Sequence, residues 1–158
     1  MSKPLRVMIV EDEALLAFSL EEDLREAGHE VVGAAPSSRD AIQLAERTRP
    51  ELALVDIHLL DGPTGVDVAR AVAASGVTTV LFMTANVKRI PDDFAGAVGV
   101  ISKPYTANGI ENALAFVRDA LAGGAEPPPP WSLQLAPNLR PAEDGRIRLP
   151  KFPAGRPT

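Results

Sequence analysis

Side chains that could bind a metal ion and a phosphoryl group follow four separate apolar segments of the chain. They are Glu11 and Asp12, Asp56, Thr84, and Lys103. Three carboxylates close together would repel one another without a cation, and oxygen ligands of this kind suit Mg²⁺. An aspartate can also act as a nucleophile and form an aspartyl phosphate. Lys103 and Thr84 would offer positive charge and a hydroxyl donor to the phosphoryl oxygens. We therefore interpret Asp56 as the reacting group.

Each of these residues also has an ordinary structural explanation. Aspartate is a common turn and helix-capping residue, which would account for Asp56 alone. Glu11 and Asp12 could merely favour the positive start of a following helix. Thr84 could be a turn hydroxyl, and Lys103 a solvated charge. The chemical interpretation therefore depends on whether the fold brings all of them to one place.

The apolar segments have the length and composition of strands buried on both faces of a parallel sheet. Strands are predicted over residues 5–10, 30–35, 52–56, 79–83 and 98–102. Helices are predicted over residues 14–27, from Ser37 or Ser38 to about 48, over about 66–74, and from an Asn108 cap to 122. This alternation predicts an α/β fold with a five-stranded parallel sheet wound on both faces. The carboxyl ends of all its strands share one edge, where ligands bind in such folds.

Two details of the helices follow from the same pattern. Leu16, Leu20 and Leu24 recur every fourth position and predict one buried face of the first helix. Between the fourth and fifth strands, Pro91 and Gly96 interrupt a segment with only scattered apolar residues. We expect at most a short or distorted helix in that crossover.

Length, composition and charge exclude several classes of protein. The 158 residues suit one domain with an appendage, and 46% of them are hydrophobic, which excludes a wholly disordered chain. Without cysteine, neither a disulfide framework nor a cysteine-based metal or nucleophile site is possible. No segment approaches the roughly 20 apolar residues needed to span a bilayer, so we expect a cytoplasmic protein without a membrane association. Residues 1–122 carry a net charge of −7 (11 basic, 18 acidic) and residues 123–158 carry +2, which argues against direct DNA binding.

The composition changes after residue 122, and we predict a domain over residues 1–122 and a proline-rich extension over 123–158. Nine of the fifteen prolines lie in this extension, and the run from Pro127 to Pro130 predicts extended polyproline II. The composition favours a disordered tail. The alternative is an arm that docks its apolar residues on its own domain or on a second subunit. Those residues are Trp131, Leu133, Leu135, Ile147 and Leu149.

Residues 5–122 resemble the receiver domain of two-component response regulators. The matching motifs are VMIVED at 7–12, LVD at 54–56 followed by Gly62 and Gly65, MTA at 83–85 and SKPY at 102–105. Their spacing also fits, with 44 residues from Asp12 to Asp56, 28 more to Thr84 and 19 more to Lys103. The resemblance implies the flavodoxin-like strand order 2-1-3-4-5.

The resemblance also implies a role for each residue of the set. Asp56 would accept a phosphoryl group from a histidine kinase or a histidine phosphotransferase. Asp12, Asp56 and the backbone carbonyl of His58 would bind Mg²⁺ directly, and Glu11 would act mainly through water. Thr84 would contact the phosphoryl group, Lys103 would pair with it, and the bond before Pro104 would be cis.

Two departures from the family bear on how a signal would leave the domain. The family has an aromatic residue three positions before the lysine, where this chain has Val100, and the fourth helix is reduced. We expect a single-domain response regulator without a separate output enzyme, which could form a homodimer through the last helix or the extension. One alternative is a receiver fold that binds or dimerises without switching. Another is a phosphatase of the haloacid dehalogenase type, which needs a second aspartate where His58 stands.

Overall fold

A computed structural model describes residues 3–150, which form six strands and four α-helices. The strands are β1 Arg6–Val10, β2 Glu30–Ala35, β3 Leu52–Asp56, β4 Thr79–Thr84, β5 Gly99–Ser102 and β6 Leu133–Leu135. The helices are α1 Ala14–Glu26, α2 Ser38–Thr48, α3 Gly65–Ala74 and α4 Ala107–Ala122. All six strands join one sheet in the order β2-β1-β3-β4-β5-β6. The predicted parallel order 2-1-3-4-5 is confirmed, and β6 extends it as an antiparallel sixth strand.

Helices cover both faces of the sheet because its central strands are apolar on both faces. In β3, Leu52 and Leu54 pack into the core with α1 and α4, whereas Ala53 and Val55 pack into the core with α2 and α3. Successive side chains of a strand point to opposite faces, so one continuous apolar run supplies both cores. The doubly wound architecture is therefore confirmed. Among the described residues, no helix is both long and apolar enough to cross a membrane.

Two predicted details of the helices are wrong. Leu16 is exposed, and only Leu20 and Leu24, further along α1, reach the core. The cap of α4 is Thr106 rather than Asn108, since the Thr106 side chain accepts a hydrogen bond from the Gly109 N–H at 2.9 Å. Thr106 has the extended backbone that an N-cap requires. Asn108 instead lies inside the first turn of the helix.

The crossover between β4 and β5 contains two short 3₁₀ turns, Val87–Arg89 and Phe94–Gly96, in place of an α-helix. The prediction of a short or distorted helix is confirmed. Phe94 packs in the same core as Val100 of β5. Ala136 and Leu139, from far along the chain, pack into that core as well. The C-terminal part of the chain therefore covers some of the surface that a fourth crossover helix would cover.

Residues 123–150, which we call the C-terminal arm, are docked on the domain. Strand β6 pairs with β5, Ala125 and Ile147 form an isolated bridge, and the Leu149 N–H donates to the Ala120 carbonyl at 3.1 Å. The expectation of a disordered tail is therefore wrong for these residues, because burial of Leu133, Ile147 and Leu149 offsets the cost of ordering them. Residues 151–158 lie outside the described residues, and the division into domain and extension stays a prediction.

Two further expectations about the arm are wrong. Trp131 does not dock on its own domain, since 80% of its surface is exposed, and its docking on a second subunit stays a prediction. Residues 127 and 128 form a bend, whereas the sequence predicts extended polyproline II from Pro127 to Pro130. Leu135 is only partly buried and packs at the margin of the core.

Gly99 fits the arm closely against β5. A Cβ atom at this position would lie 2.6 Å from the backbone oxygen of Gln134 in β6. Only glycine lets the two strands pair at their observed separation. The sequence of β5 is thus adapted to the strand that follows it about 30 residues later in the chain.

Candidate phosphoacceptor site

The carboxyl ends of the parallel strands bring the candidate residues together, as the sequence predicts. Lys103 follows β5, and its Nζ donates hydrogen bonds to Oε1 of Glu11 at 2.8 Å and to Oδ2 of Asp56 at 2.9 Å. Glu11 directly follows β1, and Asp56 is the last residue of β3. One lysine therefore joins the ends of three strands across 92 and 47 residues of sequence.

Three carboxylates lie close enough to share one cation. Each of Glu11, Asp12 and Asp56 offers a carboxylate oxygen within 4.8 Å of the others. Glu11 is almost completely buried, and the other two are partly buried. Burial raises the pKa of Glu11 above its ordinary value, and its hydrogen bonds with Lys103 and with the Glu13 N–H offset only part of that effect. A divalent cation would remove the unfavourable proximity of these charges, and oxygen ligands suit Mg²⁺.

The ammonium group of Lys103 is held in its charged form. Burial by itself would lower the pKa of Lys103, but its hydrogen bonds to Glu11 and Asp56 outweigh this effect, so the pKa is raised. The lysine therefore remains a full positive charge at the oxygens of Asp56. It is positioned by the backbone as well, since its N–H donates to the Thr84 carbonyl at 2.9 Å.

Thr84 ends β4 and is buried beside these groups. Its hydroxyl oxygen accepts a hydrogen bond from the Asn86 N–H at 3.1 Å. That bond uses a lone pair of the oxygen and leaves the proton for donation to another group. Strand pairing places Asp56 opposite Met83, one residue before Thr84. The structure thus brings Thr84 to the same edge as the carboxylates.

The loop after Asp56 contains His58, whose side chain is exposed. The predicted role of the His58 carbonyl as a metal ligand stays a prediction. Gly65 determines how closely the start of α3 approaches the acceptor. A Cβ atom on Gly65 would lie 2.0 Å from the Asp56 carbonyl oxygen, and the Gly65 N–H donates to the Ile57 carbonyl at 2.9 Å. Only glycine permits this contact, which packs α3 directly against the acceptor strand.

Sequence reasoning missed one polar residue of this loop, Asp61. Its carboxylate accepts hydrogen bonds from the hydroxyl groups of Ser38 at 2.5 Å and Thr64 at 2.6 Å, and from the Ser38 N–H at 3.2 Å. The hydrogen bonds from Ser38 and Thr64 lower the pKa of Asp61 to about 2. Asp61 therefore ties the loop after Asp56 to the start of α2. The sequence signal was an aspartate three residues before a threonine, which is equally typical of an ordinary turn.

Comparison with known proteins identifies the domain. The family model of the response regulator receiver domain matches residues 7–115. The transcriptional regulatory protein PdtaR of Mycobacterium tuberculosis is 35% identical over 116 residues, which cover 70% of this chain and 55% of that protein. The crystal structure of the response regulator PhyR from Brucella abortus is 32% identical, with a TM-score of 0.60 over 70% of this chain and 46% of that chain.

A second structural relative is a receiver domain on its own. The solution structure of the PhyR receiver domain from Erythrobacter litoralis is 27% identical, with a TM-score of 0.63 over 71% of this chain and 88% of that chain. By contrast, this chain spans about half the length of PdtaR and of Brucella PhyR. The match therefore concerns one domain of those two proteins. On the family match, the strand order and the motifs at the carboxyl edge, this chain belongs to the response regulator receiver domain family.

Proposed function

We propose that the protein accepts a phosphoryl group on Asp56 from a phosphohistidine of a partner protein, and that phosphorylation changes its association with partners. The hydrogen bond of 2.9 Å between Lys103 and Asp56, inside a cluster of three carboxylates, carries this proposal. It supports the proposal because it joins an aspartate that could act as the nucleophile to a positive charge, beside carboxylates that could hold a metal ion. We expect no separate enzymatic output.

The residues support the transfer in a simple way. An Asp56 oxygen attacks phosphorus, an oxygen–phosphorus bond forms, and the phosphorus–nitrogen bond of the phosphohistidine breaks, so that the imidazole leaves with the electron pair of that bond. Because Lys103 contacts Oδ2 of Asp56, the other carboxylate oxygen is left to attack. Lys103 and the hydroxyl proton of Thr84 then face the phosphoryl oxygens as charge develops on them.

The same cluster supports a role for Mg²⁺. Receiver domains generally bind this ion at an acidic pocket, and Asp12 and Asp56 would hold it directly, with the His58 carbonyl as a third ligand and Glu11 acting through water. The ion would neutralise negative charge on the phosphoryl oxygens. The donor set fits because all three side chains offer carboxylate oxygens and one of them is almost fully buried. A buried cluster of like charges needs such a counter-ion.

The proposed donor is a histidine kinase or a histidine phosphotransferase, since receiver domains interact with proteins of these classes. Large apolar side chains support a protein partner at this edge. Leu15 and Phe18 are exposed on the first two turns of α1, which begins two residues after Asp12. Leu15 and Phe18 are three positions apart on the helix and so share one face, on which a partner could bury both.

Radiolabel transfer tests the proposal. The purified protein is incubated with phosphorylated histidine kinases and phosphotransferases of the source organism, and the donor that labels it fastest is retained. We expect Asp56→Asn to abolish the label and Asp67→Asn, an exposed aspartate of α3, to retain it. Labelling of Asp56→Asn at the parental rate would refute the proposal.

One observation favours a second candidate, a receiver fold that binds partners without switching. Val100 occupies the position of the family's aromatic residue, and it is fully buried and paired with Gln134 of the arm. A fully buried side chain on a strand that is paired on both sides has little room to move in response to Thr84, which supports a domain that does not switch. Beryllofluoride with Mg²⁺ distinguishes the two candidates, because a switching protein would change its spectrum or its oligomeric state and a non-switching one would not. Formation of a homodimer stays a prediction in both cases.

A further inference from the structure

The large apolar side chains that remain exposed in residues 3–150 all lie toward the carboxyl edge of the sheet. They are Leu15, Leu16, Phe18, Leu60 and Trp131. The first three belong to the first two turns of α1, which follows β1. Leu60 lies in the loop four residues after Asp56, and its N–H donates to the Pro36 carbonyl just after β2. The large exposed apolar side chains therefore lie toward the end of the sheet that carries the acceptor instead of being scattered over the domain.

Trp131 reaches this edge through the geometry of the arm. Because β6 runs antiparallel to β5 and pairs Leu133 with Ile101, the turn that precedes β6 lies at the carboxyl end of β5. That turn is closed by a hydrogen bond of 2.9 Å from the Leu133 N–H to the Pro130 carbonyl. Trp131 is one of its two central residues. Lys103 follows Ile101 by only two residues, just beyond the end of β5, so the tryptophan lies toward the end of the sheet that carries the acceptor.

The turn is held firmly while its tryptophan is left exposed. Ser132, next to Trp131, is buried, and its hydroxyl donates to the Gly109 carbonyl in the first turn of α4 at 2.8 Å. Leu133 is only 3% exposed, whereas Trp131 is 80% exposed. A rigid turn that presents one large aromatic side chain loses little conformational freedom on binding, and tryptophan is enriched among residues that dominate interfaces.

We propose that Trp131 contacts the phosphohistidine-bearing donor protein when that protein covers Asp56. The proposal rests on the phosphoacceptor function above, because the donor has to approach the edge at which Trp131 lies. It assigns part of the docking surface to the arm, outside residues 7–115 that match the receiver domain. The occupant is a protein with apolar surface around its histidine, opposite Leu15, Phe18 and Trp131.

The test compares a small phosphodonor with the protein donor. In the full chain, we expect Trp131→Ala to lower kcat/KM for the phosphorylated donor protein more than about tenfold, mainly through KM, and Trp131→Phe to restore most of it. Phosphorylation by acetyl phosphate, which is too small to span from Asp56 to the arm, is expected to stay within about twofold of the parent. Glu143→Ala, at an exposed position on a different turn of the arm, is the control and is expected to affect neither donor.

A second measurement does not depend on phosphoryl transfer. Trp131 is the only tryptophan of the chain, so its fluorescence is expected to shift when the unphosphorylated donor protein binds. Equal slowing with both donors would overturn the proposal, because Trp131 would then act on the structure of the site. An unchanged KM for the donor protein would also overturn the proposal. A change in oligomeric state without an effect on the donor reaction would overturn it too, because the surface would then bind a second copy of the chain. If the parent is not labelled at Asp56 by any donor, the phosphoacceptor function itself fails, a result distinct from these.

Discussion

The carboxyl edge of the sheet and the contact between β5 and the arm are adjacent but are built from different kinds of interaction. At the carboxyl edge, charged side chains meet, and Lys103 joins Glu11 and Asp56 through hydrogen bonds of 2.8 and 2.9 Å. Along β5, the arm is held by backbone hydrogen bonds and buried apolar side chains. Partly buried charged groups can take part in reactions, but removing them from water lowers the stability of the fold. Burial of apolar side chains raises that stability. We therefore expect function and folding stability to separate between these two regions.

The largest expected effect is on stability, from Leu133→Ala in β6. Leu133 is 3% exposed, and truncation of a buried leucine usually lowers the free energy of unfolding by about 2–5 kcal/mol. Urea denaturation measures the loss. Leu15→Ala is the matched control, since that side chain is 84% exposed and its truncation is expected to change stability by less than about 0.5 kcal/mol. At temperatures where both variants remain folded, acetyl phosphate should phosphorylate them at similar rates. A loss no larger than that of the control would show that the arm contributes little to the fold.

The next effect comes from the carboxyl edge. Lys103→Met leaves Glu11 and Asp56 without their cation. Their side chains are only 5% and 13% exposed, so water cannot replace it fully. In buffer without Mg²⁺ we expect the free energy of unfolding to fall by about 3 kcal/mol, the lower end of the range for breaking a buried ion pair, since this leaves an uncompensated charge. Added Mg²⁺ should restore part of it by binding the folded state.

Arg70→Met is the control for Lys103→Met. It breaks an ion pair with Asp93 whose side chains are 50% and 62% exposed, and such pairs are worth about 0–1 kcal/mol. Equal losses in the two variants, or no response of Lys103→Met to Mg²⁺, would contradict the view that a metal and a lysine share the neutralisation of this cluster.

The same contrast explains how much could be predicted from the sequence. The strands and the convergence of Asp12, Asp56, Thr84 and Lys103 follow from local apolar runs and from the topology of parallel sheets, whereas the strand order follows from the resemblance to receiver domains. The arm could not be predicted in this way, because its pairing with β5 uses backbone groups that every residue carries. Polar and apolar residues alternate at 132–135, which is a strand signal, but nothing local indicates which edge the strand joins.

Asp61 lies between these two cases. It belongs to the loop of the site, yet its partner Ser38 comes from a different part of the chain, so its contacts were as hard to predict as those of the arm. Through Ser38 it ties the loop that would present the His58 carbonyl to the start of α2, and through Thr64 it ties that loop to the start of α3. Loss of these bonds should loosen the loop without removing any proposed ligand.

The smallest expected effect is therefore that of Asp61→Asn, and the pH dependence of the lost stability distinguishes it from the effects above. The folded state holds the pKa of Asp61 at about 2, below its ordinary value of 3.8, so it favours the ionised form. The resulting stabilisation is fully present above about pH 4 and is lost as the pH falls toward 2. We expect the parent to have a higher urea midpoint than Asp61→Asn above about pH 4, and the difference to shrink as the medium is acidified toward pH 2.

Hydrogen exchange of the Ser38 and Leu60 N–H groups should be faster in the Asp61→Asn variant than in the parent. Asp92→Asn, at an exposed position, controls for the lost charge. A difference in midpoint that does not change with pH would show that the Asp61 carboxylate does not hold this loop.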